Sequence, residues 1–383
     1  MGMKWTEEQG KVITLRDRNI LVSAAAGSGK TAVLVQRILS KIMDPDRPVD
    51  IDRLLIMTFT RAAAGEMKER ISNSIDQALY ENPDNEHLQR QAALIHNAQI
   101  TTIDGFCSYI IRNYFHMVEL DPGYRTAEEG ELKLLQEDVM KDLLEEAYEK
   151  ADPKFLSLVE CYASGKSDDE IRDMVYKLYQ AAMSHPYPEE WLEECMEVYR
   201  VQTIEELRET SWIQLLWETL DEKLDQAEAL TESARKICNE PDGPCFYDEA
   251  LVDDLNFWRE VRRCRETKDY DKVADILSGH TFAKLSAKRD SSIDPVKKEQ
   301  AKELRDEEKE ICKDLSTKFF NQKEEILLEL IACAREPLEG LVELTLQFKE
   351  AFSSKKREKN LLDFTDMEHF ALRILVELSL IHI

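Results

Sequence analysis

Small side chains, one lysine and one hydroxyl are combined in a short segment near the start of the chain. These residues are Ala24, Ala25, Ala26, Gly27, Ser28, Gly29, Lys30 and Thr31. Glycines allow backbone N–H groups to close around phosphate oxygens. Lys30 can reach the β- and γ-phosphates of a nucleotide, and Thr31 can offer its hydroxyl to Mg²⁺. The segment therefore predicts a site for ATP and Mg²⁺ in which Lys30 and Thr31 are the catalytic residues.

The residues on either side of this loop favour a phosphate site. Asn19–Ser23 is a short apolar run typical of a buried strand, and Lys30–Ile42 has apolar residues at helical spacing. A strand, a glycine loop and a helix in this order place the positive end of the helix at the phosphates. Ala24 stands where the usual pattern has a glycine, and a Gly/Ser turn before a helix is the alternative interpretation.

An amide side chain, Gln9, lies 21 residues before Lys30. An amide both donates and accepts hydrogen bonds, which suits the edge of an adenine ring. The alternative is a helix that is capped by Thr6 and carries ordinary surface residues.

A second strand-to-helix junction offers side chains that suit single-stranded nucleic acid. A strand is predicted at Arg53–Thr60, and an alanine-rich helix follows it. Phe59 can stack on a base, while Thr58 and Thr60 can bind phosphate near the helix N-terminus. Arg61 follows them and completes the predicted DNA-binding set of this junction. Core packing of Phe59 and a simple helix cap at Thr60 form the alternative.

A third junction follows a strand predicted at Gln99–Ile103, and Thr102 and Phe106 are its predicted DNA contacts. Strands separated by helices imply parallel crossovers. Ligands bind at the carboxyl ends of parallel strands, so three junctions on one edge predict a shared platform for nucleotide and DNA.

The charge of the chain is distributed unevenly. The 383 residues carry a formal charge of −26, yet residues 1–130 contribute only −3, with 15 Lys and Arg against 18 Asp and Glu. The acidic remainder argues against non-specific attraction to nucleic acid, although a local groove can still bind it. The eight cysteines form no CxxC pair and are expected to be reduced thiols. No signal peptide or membrane span is predicted.

The middle of the chain, from about residue 128 to residue 351, has an almost wholly helical pattern. The polar stretch Thr267–Pro295 is a candidate loop-rich insertion within it. Leu361–Phe364 begins a new segment that is expected to return to the α/β core.

Taken together, these segments resemble superfamily 1 helicases of the UvrD/RecB type, in the order of that family's glutamine motif and motifs I, Ia and Ib. The resemblance is closest to AddA-type subunits of bacterial AddAB helicase–nucleases. It rests on Ala24–Ile38, Thr58–Ile71, Thr101–Arg125, Glu128–Leu135 and Leu362–His369. It extends to about residue 377 and is most specific in the first 135 residues.

This resemblance implies a RecA-like P-loop NTPase core, an α/β fold with a parallel sheet, and a large, mainly helical inserted domain. It implies ATP- and Mg²⁺-dependent unwinding and translocation at double-stranded DNA ends, for recombination repair in the bacterial cytoplasm. It implies a nuclease activity and a heterodimer with an AddB-like subunit. It also assigns adenine contact to Gln9, phosphate and Mg²⁺ contact to Gly27–Thr31, and DNA contact to Phe59 and its neighbours.

Domain boundaries follow from the same resemblance. Residues 1–127 are expected to form the first part of motor domain 1A, and 128–355 the helical accessory domain 1B. Residues 356–377 return to domain 1A, and 378–383 are expected to be a foreign tail. Asp104-Gly105 stands where many relatives have His-Ser, and Ala32 replaces a basic residue of UvrD-like enzymes.

Two functions of different classes compete. No apolar run ending in Asp-Glu follows the third junction, so the Mg²⁺-holding carboxylates of the family are missing. The later helicase motifs and the nuclease domain are missing as well. The chain is therefore expected to be an amino-terminal fragment of a helicase–nuclease subunit that does not hydrolyse ATP alone. The alternative is a catalytically silent module for ATP and DNA binding or for assembly.

Overall fold

A computed structural model describes residues 4–25, 27–163, 165, 167–288 and 290–378. The chain divides into two compact units. The α/β unit contains residues 1–137 and 352–383, and the helical unit contains residues 138–351. No helix in the described ranges is both long enough and apolar enough to cross a membrane.

The α/β unit begins with helices that match the predicted ones closely. Its helices are α1 (Glu7–Thr14), α2 (Lys30–Ile42), α3 (Arg61–Glu81), α4 (Glu86–Leu94), α5 (Ile103–Tyr114) and α16 (Phe364–Leu372). Its strands are β1 (Leu55–Thr58), β2 (Gln99–Thr102), β3 (Arg125–Thr126) and β4 (Leu361–Leu362). Short 3₁₀ turns at Ile51–Arg53 and Phe115–Val118 and a π-helical segment at Arg373–Leu378 complete the unit.

The described strands form two small parallel sheets. β1 pairs with β2, from Leu55 opposite Gln99 to Thr58 opposite Thr102. β3 pairs with β4, with Thr126 opposite Leu362, so the segment after residue 360 adds a strand beside β3. The parallel pairing of β1 with β2 confirms the crossover predicted between the second and third strands.

The strand predicted at Asn19–Ser23 is wrong. These residues have no regular secondary structure, and the side chain of Leu21 is 98% exposed. A strand forms only when its backbone groups pair with a neighbouring strand, and β1 and β2 pair only with each other among the described residues. An apolar run alone could not reveal whether that neighbour would be present.

Apolar side chains from the helices hold each sheet of the α/β unit. Ile38 and Ile42 of α2 pack with Ile71 of α3 and with Ile56 and Ile100 of the β1–β2 sheet. A second cluster joins α5 to α16, and it includes Ile110, Ile111, Leu362, Met367 and Ala371. Both cores follow from the helical spacing of these residues.

The helical unit confirms the pattern predicted for the middle of the chain. Its helices are α6 (Glu129–Lys150), α7 (Pro153–Tyr162), α8 (Asp169–Met183), α9 (Pro188–Glu197), α10 (Ile204–Glu209), α11 (Ser211–Cys238), α12 (Asp248–Glu266), α13 (Tyr270–Gly279), α14 (Pro295–Asp314) and α15 (Glu324–Glu358). α6 begins and α15 ends within residues assigned to the α/β unit.

One expectation for this unit is confirmed only in part, since residues 280–288 and 290–294 have no helix or strand but a helix precedes them. The polar stretch Thr267–Pro295 contains α13, whose Val273 and Leu277 are fully or almost fully buried in the main helical core. The three apolar positions Val273, Ile276 and Leu277 have helical spacing, which the abundance of polar neighbours concealed.

An ionic cluster lies inside the helical unit between α12 and α14. Arg305 donates two hydrogen bonds to Asp254, at 2.6 and 3.1 Å, and each side chain is 1% exposed. The indole N–H of Trp258 donates to Oε1 of the fully buried Glu308 at 2.6 Å. Glu308 Oε2 has no hydrogen-bond partner among the described residues. Burial raises the pKa of Glu308 to about 7.

Candidate functional site

The glycine loop has the backbone geometry that a phosphate site requires. Gly27 and Gly29 adopt φ angles of +77° and +83°, a region that favours glycine. Gly29 is the N-cap of α2 and supplies no side chain to the first N–H groups of that helix. The first N–H groups of α2 therefore have no side-chain acceptor. Such an arrangement at a helix N-terminus binds anions.

The lysine and the hydroxyl of the loop lie on its exposed side. Lys30 Nζ donates a hydrogen bond to the main-chain carbonyl of Ala24 at 2.5 Å, and Thr31 is exposed at the next position of α2. Ala24 and Ala25 belong to the same turn, since Ser28 N–H donates to the Ala25 carbonyl at 3.3 Å. Ala26 lies outside the described residues.

Gln9 contacts the loop directly. Its Nε2 donates to the carbonyl of Ser28 at 3.2 Å, and its Oε1 accepts from the N–H of Thr6 at 3.0 Å. Thr6 also caps α1, so the helix-cap interpretation of this segment is confirmed while the amide still reaches the loop. An amide nitrogen and an amide oxygen each retain capacity for one more hydrogen bond, which leaves Gln9 able to recognise a base edge.

Polar side chains fix α1 on α2 and thereby hold Gln9 beside the loop. Arg37 of α2 donates to the carbonyls of Val12 and Leu15, the latter at 2.8 Å. Arg16 donates to the hydroxyl of Ser40 at 2.6 Å. Because these bonds satisfy the carbonyls at the end of α1, they also complete the C-terminus of that helix.

The junction between β1 and α3 exposes its aromatic residue. Phe59 is 97% exposed, so the core-packing alternative for this side chain is wrong. Thr60 caps α3 by accepting from the N–H of Ala63 at 3.1 Å, and the Thr58 hydroxyl donates to the Thr60 carbonyl at 3.0 Å. Arg61 is exposed as the first residue of the helix. The junction thus presents a ring and a cation, while its two hydroxyls are engaged with the backbone.

The junction between β2 and α5 lies beside it, because Thr58 and Thr102 are paired at the ends of the two strands. Thr102 is buried, and its hydroxyl accepts from the N–H of Gly105 at 3.1 Å as the cap of α5. Phe106 is half-buried and packs against the cluster between α5 and α16. The exposed apolar side chain at this junction is Ile103, which is 46% exposed.

A further junction of this kind, between β4 and α16, was not predicted from the sequence. Glu368 of α16 lies close enough to Cys107 of α5 to contribute, after burial, to a raised pKa of that thiol. The segments that follow α5 and α16 also contact each other. Because residues near the start of the two helices are close and the segments after them are in contact, α5 and α16 run side by side in the same direction. Their N-termini therefore lie close together.

Phe364 is the first residue of α16 and is 56% exposed. We call Phe59, Ile103 and Phe364, with the helix caps beside them, the junction edge. The signal that could have found Phe364 was a short apolar strand followed by a helix cap and an aromatic residue, which is the Phe59 pattern with the order of cap and ring reversed.

ATP and Mg²⁺ fit the loop by the chemistry of its groups. Free N–H groups and the Lys30 ammonium match phosphate oxygens, and the Thr31 hydroxyl is an oxygen ligand of the kind that Mg²⁺ prefers. Mg²⁺ bound there would neutralise charge on the phosphates. The junction edge offers two exposed rings, which suit stacking on unpaired bases.

Named relatives match almost all of this chain. This chain is 47% identical to an ATP-dependent helicase/nuclease subunit from Lachnoclostridium phytofermentans, over 97% of this chain and 27% of that protein. It is 42% identical to the protein of the same name from Clostridium perfringens, over 98% of this chain and 30% of the relative. The Bacillus pumilus protein of that name is 37% identical over 97% of this chain. The chain spans about 30% of the length of these relatives.

A family model covers nearly the whole chain. The model describes the UvrD/REP helicase N-terminal domain and matches residues 5–381. That range includes the glycine loop, both units and the first residues of the segment 378–383, of which 379–383 lie outside the described residues. The chain belongs to the UvrD/REP helicase N-terminal domain family, and through it to the P-loop NTPase superfamily.

Proposed function

We propose that this chain is the ATP- and DNA-binding part of an ATP-dependent helicase/nuclease that acts at double-stranded DNA breaks in recombination repair. The observation that carries the proposal is the pairing, within one unit, of a left-handed glycine loop bearing Lys30 with an edge bearing Phe59. A nucleotide site and a stacking edge in one unit are what a DNA-dependent motor needs. The names of the relatives support the same activity.

In this proposal the glycine loop holds ATP and Mg²⁺. Lys30 exchanges its bond with the Ala24 carbonyl for phosphate oxygens, and Thr31 turns its hydroxyl toward the metal. Gln9 contacts the adenine edge while it stays bonded to the Ser28 carbonyl.

Single-stranded DNA crosses the junction edge in the same proposal. Phe59 and Phe364 stack on bases, and Arg61 and the N-terminus of α3 attract phosphate. The hydroxyls of Thr58, Thr60 and Thr102 shape the edge through their backbone hydrogen bonds. Phe106 supports it from the core between α5 and α16.

The proposal extends to the domains of the chain and to its partner subunit. We infer that the α/β unit is the RecA-like motor domain 1A and that the helical unit is its inserted accessory domain 1B, near the boundaries at 127, 355 and 377. The partner is an AddB-like subunit in a cytoplasmic heterodimer. The relatives are named as subunits, which supports an assembly of this kind.

Equilibrium binding by the purified chain tests the proposal. We expect ATP with Mg²⁺ to bind, and a fluorescent oligo(dT) to bind with an affinity that falls as salt is raised, because phosphate contacts release counterions. A chain that is folded by circular dichroism but binds neither ligand would refute the proposal.

A silent module for ATP and DNA binding or assembly is the second candidate. It is favoured by the sequence after β2, which contains no apolar run ending in Asp-Glu that could hold Mg²⁺. DNA-stimulated ATP hydrolysis by this chain tests the silent module. We expect near-background turnover from these 383 residues and robust turnover from a complete relative, and robust turnover by this chain would exclude the silent module.

A further inference from the structure

One buried cation of the α/β unit has no part in the functions proposed above. Lys356 lies near the end of α15 and is 1% exposed. Its Nζ donates to Asp363 Oδ2 and to Asp366 Oδ1, each at 2.7 Å, and it lies 4.4 Å from the centre of the Phe352 ring. Lys355 and Arg357, its neighbours in sequence, are exposed.

The two acids bound by Lys356 form the cap of α16. Asp363 Oδ1 accepts from the N–H of Asp366 at 2.8 Å, and Asp366 Oδ2 accepts from the N–H of Asp363 at 3.0 Å. This reciprocal cap places two carboxylates side by side in a largely buried position. Like charges in such a position repel, so the cap needs a cation between them.

The charge balance around Asp366 agrees with this dependence. Burial raises the pKa of Asp366, and the adjacent Asp363 carboxylate raises it further, while Lys356 opposes both effects. Without Lys356, at least one of the two acids would have to take up a proton or move toward water. Either change would loosen the first turn of α16.

The exposed ring of the junction edge is attached to this cap. Phe364 directly follows Asp363, and Asp363 follows the buried strand residues Leu361 and Leu362. The backbone reaches the strand through Asn360, whose φ of +53° is the left-handed conformation that often ends a helix. The position of Phe364 is therefore set by the anchored strand on one side and by the cap on the other.

We propose that Lys356 is a positioning residue for DNA, because it holds the Asp363–Asp366 cap and so orients Phe364 on the junction edge. The inference rests on the proposed function, in which Phe364 stacks on a base. Lys356 itself touches no ligand. Its effect on DNA affinity passes entirely through Phe364.

A double-mutant cycle tests this role. Binding of fluorescent oligo(dT) is compared for the wild type, Phe364→Ala, Lys356→Met and the double variant. We expect Phe364→Ala to weaken binding about 5- to 150-fold, the range for loss of one stacked base. Lys356→Met should weaken binding by a smaller factor, and the double variant should bind no more weakly than Phe364→Ala alone.

Two controls separate positioning from general damage. Lys355→Met removes a neighbouring exposed cation that is paired with Glu358, and it should leave the affinity unchanged. Lys356→Met combined with Asp366→Asn removes one charge of each sign but keeps an oxygen for the cap. We expect this combination to restore DNA binding, and ATP binding to stay unchanged in every variant.

The outcomes distinguish the two proposals. If Phe364→Ala binds DNA like the wild type, the proposed DNA contact at Phe364 fails. If Phe364→Ala weakens binding but Lys356→Met does not, or if the two losses multiply in the double variant, the positioning role is overturned. Should Lys356→Met fail to fold, the charge-balanced combination decides, since weak binding by that folded variant also overturns the role.

Discussion

The two units of this chain differ in net charge and in the use of some of their cations. The α/β unit has 21 Lys and Arg against 25 Asp and Glu, a formal charge of −4, whereas the helical unit has 30 against 52, a charge of −22. In the α/β unit, Lys30 donates to a carbonyl and Arg61 is exposed beside a helix N-terminus. These cations are available to an anionic ligand.

In the helical unit, cations join helices to one another. Arg262 binds Asp225 and Glu228, Arg265 binds Asp221, and Arg305 is buried against Asp254. Surplus acids on the surface of this unit disfavour approach by a nucleic-acid backbone. The net charge of the chain therefore comes mainly from the helical unit, while the proposed binding chemistry uses a few cations of the α/β unit.

The variant with the largest expected effect removes the cation of the buried Arg305–Asp254 pair in the helical unit. Arg305→Met leaves Asp254 buried without a cation, and we expect the free energy of unfolding to fall by about 3–5 kcal/mol. Guanidinium denaturation followed by tryptophan fluorescence measures it, since Trp191, Trp212, Trp217 and Trp258 all lie in this unit. ATP binding without denaturant should persist.

Lys313→Met is the matched control on the same helix, because its partner Glu310 is exposed. An exposed pair contributes at most about 1 kcal/mol. Equal losses from the two variants would contradict the distinction between buried and surface pairs.

The next test uses the raised pKa of Glu308. The folded unit keeps the Glu308 proton up to a pKa of about 7, whereas the unfolded chain loses it near the ordinary value of 4.5. The contribution of Glu308 to stability is therefore full below about pH 4.5 and is lost as pH rises to about 7, by about 3 kcal/mol in total. Denaturation midpoints at a series of pH values measure the decline.

Burial is the main cause of the raised pKa of Glu308. Asp254 adds to the rise in pKa, while the Trp258 N–H, Thr231 and Arg305 oppose it. Glu308→Gln keeps an acceptor for Trp258 but cannot ionise. The stability of this variant should therefore lack the decline between about pH 4.5 and 7. A variant whose pH profile parallels that of the wild type would show that Glu308 is not the responsible group.

Removal of the loop cation should affect the α/β unit alone. Lys30→Ala is expected to weaken ATP binding by about 1.5–3 kcal/mol, the contribution of a hydrogen bond to a charged group. Calorimetric titration with ATP and Mg²⁺ measures the loss, and Lys41→Ala at the far end of α2 is the control. Unchanged affinity in Lys30→Ala would remove this residue from the phosphate site.

Loss of the exposed ring gives the smallest expected effect. Phe59→Ala should weaken oligo(dT) binding by about 1–3 kcal/mol, because one stacked base is lost. Fluorescence anisotropy measures it. Tyr80→Ala, which removes an 82% exposed ring near the other end of α3, should leave the affinity unchanged. Equal losses from the two variants would indicate non-specific contact with aromatic side chains.

Local signals in the sequence predicted much of the secondary structure around the candidate site. Helix α2 begins and ends where its apolar spacing places it, at Lys30 and Ile42, because that face is buried against the sheet core. The Thr6 and Thr60 caps follow from short-range chemistry in the same way. Asn19–Ser23 could not be placed by such rules, because a strand depends on partners that are distant in sequence.

Residues close together in the chain specify the glycine loop, the order of its neighbouring helices and the exposed phenylalanine after β1, so these features are readable from the sequence. Long-range packing, in contrast, sets α16 beside α5 and brings Phe364 to the junction edge. Packing also buries Lys356 between two acids, although it lies within a basic run typical of a surface. Burial and pairing across long separations depend on how the helices meet, which local sequence patterns do not encode.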